Sequence, residues 1–251
     1  MKKILTALTV FSLGAAMDAG ATLLVDRGLP TANLNNAAGA DRANVSWAFT
    51  QYTSPDYWLV GDSFQNTSSA AWTINTIRLW TVGQTDTAIL RGGVGGGSID
   101  IVSTLGSISP STYVGGATYQ GSSGSYISLY QIDFAVNITL QAGQTYDFFL
   151  DGSGSGDGTY VPFVHASNAA LSGSNQDGAD NSMLYAEVLN GVVDSTSVGT
   201  WSCDGYGWDK ASDVNVQVLG TVVPEPTTVI AGALLLLPLG ASALRIVRKV
   251  A

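Results

Sequence analysis

Short runs in which apolar and polar residues alternate recur along most of the chain. They lie at Val45 to Thr50, Tyr57 to Phe64, Trp72 to Val82, Ile99 to Leu105, Tyr126 to Val136, Tyr146 to Leu150, Tyr160 to Val164, Met183 to Leu189 and Val214 to Leu219. Period two, with Ile, Thr, Tyr and Trp enriched in stretches such as Ile74 to Thr81 and Tyr126 to Phe134, predicts β-strands rather than a helical stripe. Arg91 to Gly97, Gly115-Gly116, Gly121 to Gly124, Asp151 to Gly158 and Ser172 to Gly178 carry the glycine-rich chemistry of turns and flexible loops. Roughly eight to ten strands without an internal repeat predict an all-β fold, a two-layer antiparallel β-sandwich of jelly-roll type in a single domain.

Two stretches break this pattern. Met1-Lys2-Lys3, the apolar run Ile4 to Ala16 and the small residues Ala19-Gly20-Ala21 read as a secretory signal helix, with cleavage by signal peptidase after Ala21. Residues 1–21 are therefore set apart from the fold. At the other end Val223-Pro224-Glu225-Pro226 precedes a charge-free apolar run from Thr227 to Leu244, and Arg245, Arg248 and Lys249 follow as a basic stop. At about 1.5 Å per residue this transmembrane helix reaches roughly 27 Å, just short of a hydrocarbon core of about 30 Å, so the flanking arginines must snorkel. The basic cluster stays on the cytoplasmic side, which puts residues 22–223 outside, in agreement with the signal helix.

The order V-P-E-P, short apolar helix and terminal Arg/Lys cluster, over residues 224–251, resembles the PEP-CTERM sorting signal of Gram-negative bacteria. In that family an exosortase in the inner membrane recognises the signal, cuts near the Pro-Glu-Pro and releases the protein outward. The resemblance implies the same route here: Pro224, Glu225 and Pro226 as sorting motif, exosortase as partner, and residues 227–244 in the membrane only in transit. Both prolines fix φ and disfavour the α region before them, so the segment is expected to be extended, as a peptidase cleft requires. Gly61-Asp62-Ser63-Phe64, Ile74-x-x-Ile77-x-x-Trp80, Ile138-x-Leu140-x-Ala142-Gly143-x-x-Tyr146 and Val214 to Gly220 resemble, in hydrophobic pattern, the β-sandwich ectodomains of such proteins. No functional residue is carried over by that second likeness.

Charge sharpens the picture once the two ends are removed. The whole chain carries a net −9. In residues 22–223 the basic residues are only Arg27, Arg42, Arg78, Arg91 and Lys210, against 17 acids, leaving −12. Such a domain repels nucleic acid. All but one of those acids are Asp, the exception being Glu187, which suits turns better than helices.

Catalytic chemistry is sparse. His165 is the only histidine and Cys203 the only cysteine, which disfavours zinc, a catalytic triad and a disulfide; a G-x-S-x-G elbow and a P-loop are absent too. His165, at the end of an apolar strand, reads as structural. No enzyme and no obligate cofactor is expected. Asp151, Ser153, Ser155 and Asp157 alternate with glycines as the oxygen ligands of a Ca²⁺ loop would, although Pro162 stands where an EF-hand requires an acid. Six tryptophans, Trp47, Trp58, Trp72, Trp80, Trp201 and Trp208, with Tyr52, Tyr57 and Tyr206, supply either core or a face on which sugar rings stack. Trp201, Tyr206 and Trp208, in a polar, glycine-rich segment, are the best candidates for ligand contact. The expected function is that of an exported, non-catalytic protein of the cell envelope or extracellular exopolysaccharide (biofilm) matrix, with a carbohydrate-binding module as the alternative and extracellular polysaccharide as its partner.

Overall fold

The computed structural model describes residues 20–29, 45–48, 57–95, 104–110, 118–120, 126–154, 162–166, 177–178, 180, 182–190, 192–201 and 213–223. Among them are fourteen strands and no helix. These are β1 (Thr22–Asp26), β2 (Val45–Ala48), β3 (Tyr57–Gln65), β4 (Ala71–Val82), β5 (Thr87–Val94), β6 (Thr104–Leu105) and β7 (Ser107–Pro110). They continue with β8 (Thr118–Gln120), β9 (Tyr126–Leu140), β10 (Thr145–Ser153), β11 (Phe163–His165), β12 (Met183–Leu189), β13 (Val192–Trp201) and β14 (Val216–Val223). The expected signal helix, the expected transmembrane helix, the expected sorting motif Pro224, Glu225, Pro226 and the expected basic stop Arg245, Arg248 and Lys249 lie outside the described residues.

The strands form two antiparallel sheets. In the eight-stranded sheet β4 is the axis, with β14 and then β11 along one edge and β9 along the other. β1 lies outside β14, β2 outside β11, and β7 and β8 outside β9. The six-stranded sheet has the order β13-β12-β3-β10-β5-β6. Alternation turns every second side chain inward, and Ile74, Ile77, Leu79, Phe134, Val216 and Val218 of the first sheet meet Val60, Phe64, Leu90, Phe148 and Leu150 of the second in one buried cluster. Trp72 and Trp80 are buried, as core tryptophans should be. A smaller cluster of Tyr57, Leu59, Phe149, Ala186 and Val188 packs separately, on residues whose strand parity is opposite to Val60, Phe148 and Leu150.

Two stretches expected to be loops are strand. β5 runs through Gly92 and Gly93, which pair with Phe148 and Asp147 of β10. A Cβ on Gly92 would strike the Asp147 carbonyl and the Tyr146 ring, so the residue permits close packing rather than a turn. Burial, and secondarily the Asp147 charge, push the Tyr146 hydroxyl up to about 12. β10 likewise continues through Asp151 to Ser153, alongside Ile89 and Thr87. β1 and β13 are further strands that the alternation did not announce.

One end of the molecule is closed by two turns that cross between the sheets, residues 66–70 from β3 to β4 and residues 141–144 from β9 to β10. Asn66, fully buried, organises both. Its amide donates to the Ala70 and Leu140 carbonyls, and its side-chain oxygen accepts from the Ser68 N–H and hydroxyl. Its backbone exchanges bonds with Gly143 and Gln144. Asn66→Ala should therefore cost about 2–4 kcal/mol, because it removes these bonds and orphans a buried carbonyl. Urea unfolding checks this; an unchanged midpoint would show that the turns hold without it.

Candidate functional site

Asp151 and Ser153, the first half of the expected calcium loop, sit on strand β10 with their oxygens already engaged. Arg91 Nε and Nη2 each lie 2.7 Å from Asp151 Oδ2, and the Tyr57 hydroxyl donates to Oδ1 at 3.2 Å. Ser153 Oγ and Thr87 Oγ1 share a 2.8 Å hydrogen bond. Ser155 and Asp157 lie outside the described residues. Among the described residues no three His, Cys, Asp or Glu side chains gather as a metal-binding set.

Of the aromatic candidates, Trp201 ends β13 opposite Met183, while Tyr206 and Trp208 lie outside the described residues. Among the tryptophans whose burial is described, Trp58 on β3 is the exposed one, at 44%. Its ring meets that of Tyr185 on β12 edge to face, with centroids 5.3 Å apart. Tyr185 in turn faces Gly199 of β13, where a Cβ would collide with the phenol ring. Glu187 pairs with Trp58 across the same strands, which sets a carboxylate beside the exposed indole. Sequence could name Trp58 as one of six tryptophans but not single it out, since only the pairing shows which of them stays in water.

The most connected polar group was not anticipated. Arg27, at the end of β1, is buried between the sheets and spends every guanidinium hydrogen. Nη1 donates to Asp62 Oδ2 at 2.7 Å and to the Val214 carbonyl, Nη2 to the Ser63 and Gly178 carbonyls, and Nε to the Asp177 carbonyl. Asp62 also accepts the backbone N–H of Val214 on Oδ2 and of Ser63 on Oδ1. One planar cation thus ties the edge strand, the opposite sheet and the start of β14 together. Burial pushes the Asp62 carboxyl up to about 7; Arg27 and the two N–H groups oppose that rise, while Asp213 adds to it.

The consequence for stability has a definite sign. An acid that binds its proton more tightly when folded than when unfolded makes the fold weaker as pH rises. The Asp62 contribution is fully present below pH 3.8 and is lost as pH rises through about 7. Urea midpoints taken at pH 5 and pH 8 should fall with pH, and Asp62→Asn should flatten that slope; an unaltered slope would place its origin elsewhere.

His165 is buried, with Nδ1 3.3 Å from the Asn215 amide and its carbonyl accepting the Asn215 N–H, as a structural histidine would be. A cavity of about 210 Å³ near β1 is lined by Phe64, Thr67, Trp72 and Asp177 among others, and holds a single carboxylate.

No family model matches this sequence, and no curated protein does. Among solved structures, a family 3a carbohydrate binding module from the cipA scaffolding of Clostridium thermocellum is similar at 12% identity with a TM-score of 0.22, over 55% of this chain and 98% of that one. At that score the likeness carries no argument about function.

Proposed function

We propose that this protein is an exported, non-catalytic β-sandwich protein of the cell envelope or extracellular polysaccharide layer. In this reading it is inserted by its signal helix, held in the inner membrane by residues 227–244, and released by an exosortase acting at Pro224-Glu225-Pro226. The observation that supports it is where the sheets begin and end. β1 opens at Thr22, one residue past the expected signal-peptidase site, and β14 closes at Val223, one residue before the motif. Both expected cuts thus spare every described strand, and the released piece keeps the described core. Repeated passage of the chain between the two sheets, from β3 to β4, β4 to β5, β9 to β10 and β11 to β12, supports the jelly-roll description.

Replacing Pro224, Glu225 and Pro226 together by Ala, in a Gram-negative host that encodes an exosortase, tests the route. The unaltered protein is expected outside the inner membrane in shortened form, and the triple variant in the inner membrane with its tail attached. Identical size and location for both would overturn the proposal.

The alternative, a carbohydrate-binding module, has its own support in the Trp58–Tyr185 pair. An exposed indole offers a flat apolar face to the C–H side of a sugar ring, and Glu187 offers an acceptor for its hydroxyls. Affinity electrophoresis in gels containing neutral polysaccharides should show retardation that Trp58→Ala abolishes. Equal mobility of the two proteins in every gel removes this reading.

A further inference from the structure

Among the described residues, the two turns that close one end of the domain carry none of the acids that give it a net −12. The described stretches there are residues 20–25 leading into β1, 63–74 spanning the β3–β4 turn, 92–95 at the end of β5, 138–146 spanning the β9–β10 turn, and 219–223 at the end of β14. None of them contains a Lys, Arg, Asp or Glu. The pairings bring them together: Val223 lies opposite Ala71, Trp72 opposite Leu140, Thr22 opposite Gly220, Thr145 opposite Gln65 and Tyr146 opposite Val94. The same end exposes Leu23 (47%), Val222 (47%), Val223 (42%) and Val94 (37%), among exposed Thr67, Ser69, Gln141 and Gln144. Asp177, exposed and lining a cavity with Gln65 and Thr67, flanks the β3–β4 turn; the two turns themselves set apolar side chains among uncharged polar residues, which suits the headgroup layer of a bilayer.

Chain length fixes what this end faces. From Val223 only Pro224, Glu225 and Pro226 intervene before the apolar run at Thr227, a reach of at most about 10 Å. That is close to the Debye length of about 8 Å at physiological salt, so the surface charge of anionic lipids acts on whatever the domain turns toward the membrane. An orientation that presents the acidic sides is repelled more strongly than one that presents the two uncharged turns. We propose that, while tethered, the domain stands upright with this end, formed by residues 66–70, 141–144, Leu23 and Val222–Val223, against the lipid surface. The proposal rests on the reading that residues 227–244 enter a bilayer. β4 spans the domain from this end to the opposite one, about 36 Å at roughly 3.3 Å per residue, so Asp86, just past it, stands far from lipid.

The full chain, with Cys203→Ser, is to be reconstituted in phosphatidylcholine–phosphatidylglycerol vesicles. Single fluorophores are then placed at Ser69→Cys, Ala142→Cys or Asp86→Cys, all at exposed positions, and quenched by headgroup nitroxide lipids. Ser69 and Ala142 lie in the two turns, away from the tether, so their quenching reports orientation. Quenching several-fold stronger at both than at Asp86 is the expected result. Chain that stays with the vesicles but quenches alike at all three sites overturns the orientation while leaving the anchor standing. Chain that does not stay with the vesicles overturns both.

Discussion

Arg27→Met is expected to lower the unfolding free energy of the domain by about 3–5 kcal/mol, the usual cost of breaking one side of a buried ion pair. The methionine fills much of the same volume but supplies none of the five N–H groups. Asp62 then keeps only the backbone N–H groups of Ser63 and Val214, and four carbonyls, those of Ser63, Val214, Asp177 and Gly178, lose their guanidinium donor. Because those partners lie on β3, the 177–178 turn and the approach to β14, while Arg27 directly follows β1, the loss should loosen the edge of the sandwich first. Urea unfolding measures the total, and hydrogen exchange of the β1 amides locates it. A loss below about 1 kcal/mol would mean that the pair is no more than a satisfied desolvation cost. Arg78, half-exposed and paired with Asp133 at 2.7 Å, provides the contrast. Its replacement should cost about 1 kcal/mol or less, as surface pairs do.

Ending the chain at Val214 should abolish folding, whereas ending it at Val223 should leave the domain intact. β14 is the last described strand in sequence but not at an edge in space: it lies between β1 and β4 and is paired along its whole length with β4. Without it β1 loses the strand it pairs with, Arg27 loses the bond from its backbone N–H to the Val216 carbonyl, and Val216 and Val218 leave the shared core. Two buried valines alone contribute about 3–6 kcal/mol, a large part of a total stability of about 5–15 kcal/mol. Circular dichroism and urea titration of the two truncations check this. A cooperative transition in the shorter one would show that the sandwich closes without β14, and would separate folding from the segment that precedes the proposed sorting motif.

Strands whose inner and outer residues alternate cleanly were legible in the sequence. Trp72 to Val82 and Tyr126 to Val136 match β4 and β9 closely, since period two survives along most of each, and Met183 to Leu189 matches β12 although its buried positions change parity at the bulge after Tyr185. β5 was hidden because Gly92 and Gly93 serve close packing with β10, a use that looks like a turn when neighbours are unknown. β13 was hidden for another reason. Its pairing with β12 shifts register between Tyr185 and Glu187, and Asp194, Thr196 and Ser197 form local side-chain bonds that break the alternation. Short β1 carries Thr-Leu-Leu-Val-Asp directly after the expected signal sequence, with too few residues for a period to register. Site chemistry was less legible than the fold. Arg27 and Asp62 are 35 positions apart and nothing local marks either as buried; that distinction comes from the pairing of β14 with β1 and from the facing sheet. Trp58 is likewise set apart from Trp72 and Trp80 only by what covers it.

The most direct test is the intact mass of the protein recovered from the surface of cells that make it, read at both ends by peptide mapping. A chain that starts at Thr22 and lacks residues 227–251 is the expected product. A surface protein that retains both the Ile4 to Ala16 run and the Thr227 to Leu244 run would contradict the account.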